Sequence, residues 1–332
     1  MLLPPSPSNV YPPEVLSVSE LAEKARIELN ETEETRAQGL VDLKELIKEE
    51  IKKFTANSDG STNIMYARRN DDAFLLRFLR ARKFNAESAF SNLKHYEEFR
   101  ARHTEMFDGD GLLDNVKHIF EEGAVGILPK RHPSGAVILV IYAGRMNFKD
   151  FNMERQMQVS MGLTILVYAL SSSSSSYDYD CITSLILSLF VQATVYSSEI
   201  LMQSVETQVC GVMMVEDLSG FSLREAMRLK PSDSRVSFEW MQECMPARLK
   251  GIHCINPPWY IRALFMIVHP FMKKKMKERV FVYGADLTLL YKRVCVDVLP
   301  HEFGGLIEFD PQAWVRQQLQ LEHEQQPPQR QN

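Results

Sequence analysis

The residues of this chain best suited to chemistry are cations. Lys273, Lys274, Lys275, Lys277 and Arg279 place five positive charges beside one negative charge, Glu278, directly after an apolar run from Trp259 to Met272. Anionic lipid would attract each such charge by about 1 kcal/mol. On a helix the apolar residues of this run go almost all the way round, as expected of a buried or lipid-contacting segment. The run is too short to cross a bilayer, which takes about 20 apolar residues. It therefore reads as a helix and basic tail that work at an anionic surface. The same residues also describe a core helix with a solvated basic end.

Groups that could break bonds are poorly arranged. There is no GxSxG elbow, Walker lysine loop, GxGxxG after a strand, or HExxH. Ser134 lies close to His132, but the HPSG context signals a turn before a strand. His253 and Cys254 are neighbours on a predicted strand and so face opposite ways, which spoils a joint metal site. Gly304 and Gly305 read as a tight bend. No catalytic residue, metal or cofactor is expected. The five cysteines, Cys181, Cys210, Cys244, Cys254 and Cys295, include no CxxC pair and read as buried thiols in a reducing compartment.

The elements that must position the cations follow from composition and pattern. The chain has 332 residues, 45% of them hydrophobic, enough for one small and one larger domain. A net charge of -5 argues against general nucleic-acid binding, so any anionic partner is met locally. Residues 1 to 13 are a proline-rich tail without the features of a signal peptide or anchor, and the expected location is the cytosol. Residues 14 to 110 carry helical spacing, with Leu40, Leu43, Leu46, Ile47 and Ile51 on one face. Phe74, Leu75, Phe78 and Leu79 form a second apolar face, with Arg77, Arg80 and Arg82 expected mainly off it.

Residues 111 to 310 read as an α/β domain with a largely parallel sheet. Its strands are predicted at Ala136 to Tyr142, Val209 to Val215, Gly251 to Ile255 and Val280 to Tyr283, and their continuous hydrophobicity fits strands covered on both faces. Helices are predicted near Asn152 to Met161, Ser197 to Glu206, Ser222 to Leu229, Asp233 to Cys244 and in the Trp259 run. The segment 162 to 195 holds six consecutive serines and no lysine, arginine or glutamate, and reads as a poorly packed insertion into a helix. Residues 311 to 332, glutamine-rich from about Gln317, read as a polar tail.

The run DDAFLLRFLRARKFNAESAF at 71 to 90 resembles the helical N-terminal signature of the CRAL-TRIO lipid-transfer family. VETQVCGVMMVEDLSGFSL, MPARLKGIHCINPPWYIRALFMIVHPFMKKKMKERVFVYG and LPHEFGG follow in family order, so the likeness covers roughly residues 15 to 310. Within the family it is most similar to the animal branch of α-tocopherol transfer protein, cellular retinaldehyde-binding protein and the clavesins. The resemblance implies carriers, not enzymes, with a hydrophobic pocket floored by the sheet and closed by a lid helix, here Pro258 to Met272. It also implies that Arg82, Arg248, Lys250, Lys275 and Arg279 form a groove for a phosphoinositide headgroup, with arginine and lysine exchanged at 248 and 250.

For the pocket, the resemblance points to Ser160 and Ser198 on a cavity-lining helix, and to Glu216 at the end of an apolar strand. A buried carboxylate needs a partner or a proton, so Glu216 either anchors a polar ligand end or pairs with an arginine at the sheet edge. Trp259, Phe265, Met266 and Phe271 read as lid and pocket lining, or as plain core. Met213 and Met214 would adapt such a lining to varied apolar shapes. The expected function is a monomeric cytoplasmic carrier of a tocopherol-, retinoid- or phospholipid-like molecule, peripheral to phosphoinositide-containing membranes. A membrane-associated scaffold that senses phosphoinositides and hardly uses its pocket is the alternative.

Overall fold

The computed structural model describes residues 11–57, 69–107, 112–145, 179–227 and 231–325. Its N-terminal helices begin at side-chain caps. Ser17 and Glu20 form a capping box at α1 (Val18–Leu29). α2 (Glu33–Asn57) follows after a left-handed Asn30. Asp71 and Asn85 accept from the amides of Phe74 and Ser88 to start α3 (Asp72–Ala81) and α4 (Ala86–Arg102). Phe74, Phe78 and Tyr96 meet edge to face between these helices, with ring centroids 5.2, 5.9 and 5.5 Å apart.

α5 (Leu112–Glu121) leads into the sheet, which has the order β1-β2-β3-β4-β5. β1 (Val125–Ile127) runs antiparallel to β2 (Val137–Tyr142), and β3 (Val212–Asp217), β4 (Leu249–Ile255) and β5 (Val280–Val282) continue in parallel. At three residues, β1 is too short to show a pattern in the sequence. Both faces of the sheet are covered. Val137, Leu139, Ile141, Val212 and Met214 join the main core with the helices. Ile138, Val140, Tyr142, Val215 and Ile255 pack on the C-terminal segment around Leu299 and Phe303.

Between β2 and β3, the described chain resumes at α6 (Tyr179–Leu201) and continues in α7 (Val205–Cys210), which Ser204 caps. Within the segment expected as an insertion over 162 to 195, residues 179 to 195 are helical and run unbroken to Leu201. Val191, Ala193 and Val195 are buried in the main core, so the end of the segment is packed rather than loose; residues 162 to 178, and the expected Asn152 to Met161 helix, lie outside the described residues. Val209 and Cys210 are likewise helical, and β3 starts only after Gly211. That glycine has φ 87°, and a Cβ there would sit 2.1 Å from the Arg248 carbonyl oxygen. α8 (Pro231–Glu239) ends in one turn of π-helix, Trp240–Cys244. From this turn Trp240 packs against Phe99 and Phe107, joining the helical region to the sheet domain in one apolar core.

The lid segment folds as α9 (Ile261–Val268) followed by a short 3-10 turn, His269–Phe271. The polar tail expected over 311 to 332 is instead α10 (Pro311–Gln325) as far as it is described. Its glutamines conceal two apolar anchors. Trp314 and Val315 are each 1% exposed, and the Trp314 ring lies 4.8 Å from Phe120. At the other end, Tyr11 to Pro13, counted in the N-terminal tail, are held because Arg131 Nε donates to the carbonyls of Pro12 and Pro13 at 3.3 and 3.2 Å. Trp314→Ala is expected to destabilise the protein by about 3–5 kcal/mol, measured by urea unfolding. A loss below about 1 kcal/mol would show that α10 is dispensable to the core.

Candidate functional site

Four separate elements bring the cations together. Arg82 caps the C-terminus of α3, and Lys83 and Phe84 after it both take left-handed backbone, with φ 52° and 59°. Such conformations cost non-glycine residues energy; here the Phe84 amide bonds the Leu79 carbonyl at 2.8 Å and its ring packs into the core. Arg248 precedes β4, where its carbonyl accepts from the Val212 amide, and Lys250 lies within the strand. Lys275 sits on the helical turn Lys274–Lys277, and Arg279 immediately precedes β5. Partial desolvation and the like charges of Arg279, Arg82, Lys83 and Arg248 together push the Lys275 ammonium pKa down. The Arg279 guanidinium donates to the Leu249 carbonyl, which fixes one side of the group.

One carboxylate that the sequence did not suggest stands among them. Glu28 on α1 accepts from Arg248 at 2.8 Å and Lys250 at 3.0 Å, and pairs with Lys24 at 2.7 Å. Desolvation would raise its pKa, but hydrogen bonds from Lys24, Lys250 and Arg248 outweigh that and hold it at about 2. Lys83 was also missed, although it directly follows Arg82 in the sequence. Glu28 had no such signal, because it lies 220 residues from Arg248.

Beside the cations, the lid is apolar on both faces but buried on one only. Ile261 is buried, and Leu264, Phe265 and Val268 pack on the main core. Trp259 is 83% exposed, Met266 72% and Ile267 50%. Trp259 and Met266, expected as lid and pocket lining or as plain core, are thus exposed on the lid segment. Both ends of the lid are fastened. At the start, Tyr260 donates its hydroxyl to the Phe221 carbonyl. At the end, the Gln242 amide, carried on the π-helical turn, donates to the Phe271 carbonyl at 2.9 Å and accepts from the Lys273 amide at 2.6 Å. Phe271 is half-buried at that hinge.

On β3, Glu216 faces the same side of the sheet as Val212 and Met214. Met213 faces the other side, so the two methionines do not share a surface. Cys254 donates to Glu216 at 3.5 Å across the strands, and no described cation lies within ion-pair distance, contrary to the arginine pairing that was one option. Burial pushes the Glu216 carboxyl pKa up. Ser198 is buried on α6, its hydroxyl donating to the Val195 carbonyl at 2.8 Å, whereas Ser160 lies outside the described residues. Next to it Glu199 faces Arg77 at 3.6 Å, and burial pushes that carboxyl up as well. His253 on the opposite face bonds the Tyr283 hydroxyl at 2.8 Å and has its pKa lowered to about 4, first by desolvation, so it is a satisfied core histidine.

The folded protein holds the Glu216 proton more tightly than the unfolded chain does, so this group costs stability as pH rises above its ordinary value of 4.5. Glu216→Gln is expected to match or exceed the wild type at about pH 8 and to flatten the decline from about pH 5, read from thermal melts. An unchanged slope would show that Glu216 titrates alike in both states.

The family model of the CRAL/TRIO domain matches residues 121–305, and that of the CRAL/TRIO N-terminal domain matches residues 39–95. Clavesin-2 of Homo sapiens is 32% identical over 92% of this chain and 80% of its own length. Clavesin-1 of Xenopus laevis is 33% identical over 90% of this chain and 76% of its own length. The crystal structure of Sfh5 aligns with 89% of this chain and 99% of its own at 14% identity and a TM-score of 0.46, too loose a likeness to carry an argument. A helical region followed by a mostly parallel sheet, matched by both family models and by relatives along nearly the whole chain, places this protein in the CRAL/TRIO family of lipid-binding and lipid-transfer proteins.

Proposed function

We propose that this protein is an intracellular carrier that encloses one hydrophobic molecule, tocopherol-, retinoid- or phospholipid-like, and exchanges it at phosphoinositide-containing membranes through its lid helix. The observation that carries this reading is that Trp259, Met266 and Ile267 stand exposed along a lid segment whose C-terminal end runs directly into the cations of Lys273 to Arg279. An exposed tryptophan and a run of lysines on one short segment suit the interfacial zone of a bilayer, where the ring sits at headgroup depth and the charges meet phosphate. Arg82, Arg248, Lys250, Lys275 and Arg279 would hold the headgroup, arginine as a two-pronged donor and lysine as a point charge.

The mechanism follows from competing free energies. An apolar ligand under the lid is held by about 25 cal/mol for each Å² removed from water, which favours a closed lid in solution. At a membrane, the outer face of the lid gains a competing apolar environment, and the cations gain phosphate. Opening then costs less by the difference in contact energy between the two states. Phe265 packs inward on the lid and Glu216 lies on the side of the sheet that faces the main core, which supports roles in enclosing the ligand and in anchoring a polar end with a buried carboxyl whose pKa is raised. Among the described residues no helix is long and apolar enough to cross a membrane, which suits peripheral attachment from the cytoplasm. The carrier reading calls for a monomer and for no nucleic acid.

Replacing Lys275 and Arg279 together by alanine is expected to weaken flotation with phosphoinositide vesicles by about tenfold or more, from the loss of two phosphate contacts. Unchanged binding would remove the headgroup from the proposal. Purification without detergent, followed by extraction and mass spectrometry, is expected to recover one apolar molecule per chain. A consistently empty protein that still binds these vesicles would instead favour a phosphoinositide-sensing scaffold.

A further inference from the structure

Glu28 occupies the place where the proposed headgroup would meet Arg248 and Lys250. Its Oε2 takes hydrogen bonds from both, and its Oε1 lies 2.7 Å from Lys24 Nζ on the same helix. Three cations thus share one carboxylate, which cancels one of their three charges. On the other side of the cluster, no described carboxylate lies within ion-pair distance of Arg82, Lys83 or Lys275. The site has an open half and a half already filled by an anion of the protein itself.

A phosphate monoester carries about −1.5 to −2 charges at neutral pH and three acceptor oxygens, against one charge and two oxygens for the carboxylate. It is the stronger partner for the same donors. The backbone of α1 can stay in place during such an exchange. Leu21, Ala25 and Leu29 pack on Val205, Val209 and Cys210, and Glu31 is locked to Arg80. Only the Glu28 side chain, 27% exposed, has to swing outward. When it does, Lys24 loses its partner on the edge of the site.

We propose that Glu28 is an internal counter-anion that a phosphorylated headgroup displaces, and that Lys24, released with it, becomes a further cation of the headgroup site. This rests on the headgroup reading above and assigns two residues to it. Glu28 holds Arg248 and Lys250 in place while the site is empty and weakens the attraction of the protein for membranes that carry little phosphoinositide.

The test compares wild type, Glu28→Gln, Lys24→Gln and Glu23→Gln, the last removing an exposed α1 carboxylate paired only with Arg26. Vesicles containing phosphatidylinositol bisphosphate and soluble inositol trisphosphate are the two probes. Glu28→Gln is expected to bind both about three- to tenfold more tightly, and Lys24→Gln to bind both about two- to fivefold more weakly, with Glu23→Gln unchanged. Glu28→Gln binding no tighter than wild type, or gaining no more than Glu23→Gln, overturns the proposal. A gain seen with vesicles alone also overturns it, because that is attraction to a charged surface and not relief at the headgroup site. The Lys275→Ala, Arg279→Ala double variant separates the two ideas. If it retains wild-type binding, the headgroup site itself is wrong; if it loses binding while Glu28→Gln gains none, only the counter-anion is wrong.

Discussion

Arg80 enters the interior almost completely, at 2% exposure, and meets Glu31 through three guanidinium hydrogen bonds of 2.8, 3.0 and 3.2 Å while reaching Gln208 on α7. Arg36 Nε also donates to Glu31 at 3.0 Å, but Arg80 has no described carboxylate other than Glu31 at ion-pair distance, so removing Glu31 would leave a buried charge uncompensated at a cost of about 3–5 kcal/mol. The joining of Arg80 and Glu31 fixes α1 and α3 against each other and both against the sheet domain. Glu31 lies three residues after Glu28, and Arg80 two residues before Arg82. The cationic cluster therefore inherits its geometry from this pair, which delivers Glu28 from one side and Arg82 and Lys83 from the other.

The surface built on that frame joins two demands that normally conflict. An apolar lid wants cover, yet Trp259, Met266 and Ile267 are left in water beside a run of lysines. A soluble protein rarely keeps such residues together without a partner for them. The inner face of the same helix is packed, and the two hinges are tied by Tyr260 to Phe221 and by Gln242 to both Phe271 and Lys273. The helix is thus held by a few polar contacts at its ends and a half-buried apolar seam, while Trp259, Met266 and Ile267 stay exposed.

Much of this was legible in the sequence. Continuous apolar runs marked the parallel strands, because strands covered on both faces have no polar side to show. The lid and its basic tail stood out for the same kind of reason, as an apolar helix in the wrong company for a solvated surface. The failures share a cause as well. Gln-rich composition hid the anchoring Trp314, and the serine-rich segment hid that residues 179 to 195 are helical, because composition averages over the few residues that pack. Alternation on β3 separates Met213 from Met214, a consequence of strand geometry that a methionine pair does not reveal.

By itself the sequence determined the two-region α/β plan, the apolar helix with its basic tail, and which residues carry positive charge, since hydrophobic period and charge are local properties of the chain. Only the tertiary structure decided how those charges are partnered. Glu28 and Arg248 lie 220 residues apart and Arg80 and Glu31 lie 49 apart, and no local pattern relates them. The outward face of the lid was decided in the same way: both faces are apolar, and the fold alone selects which one meets the core.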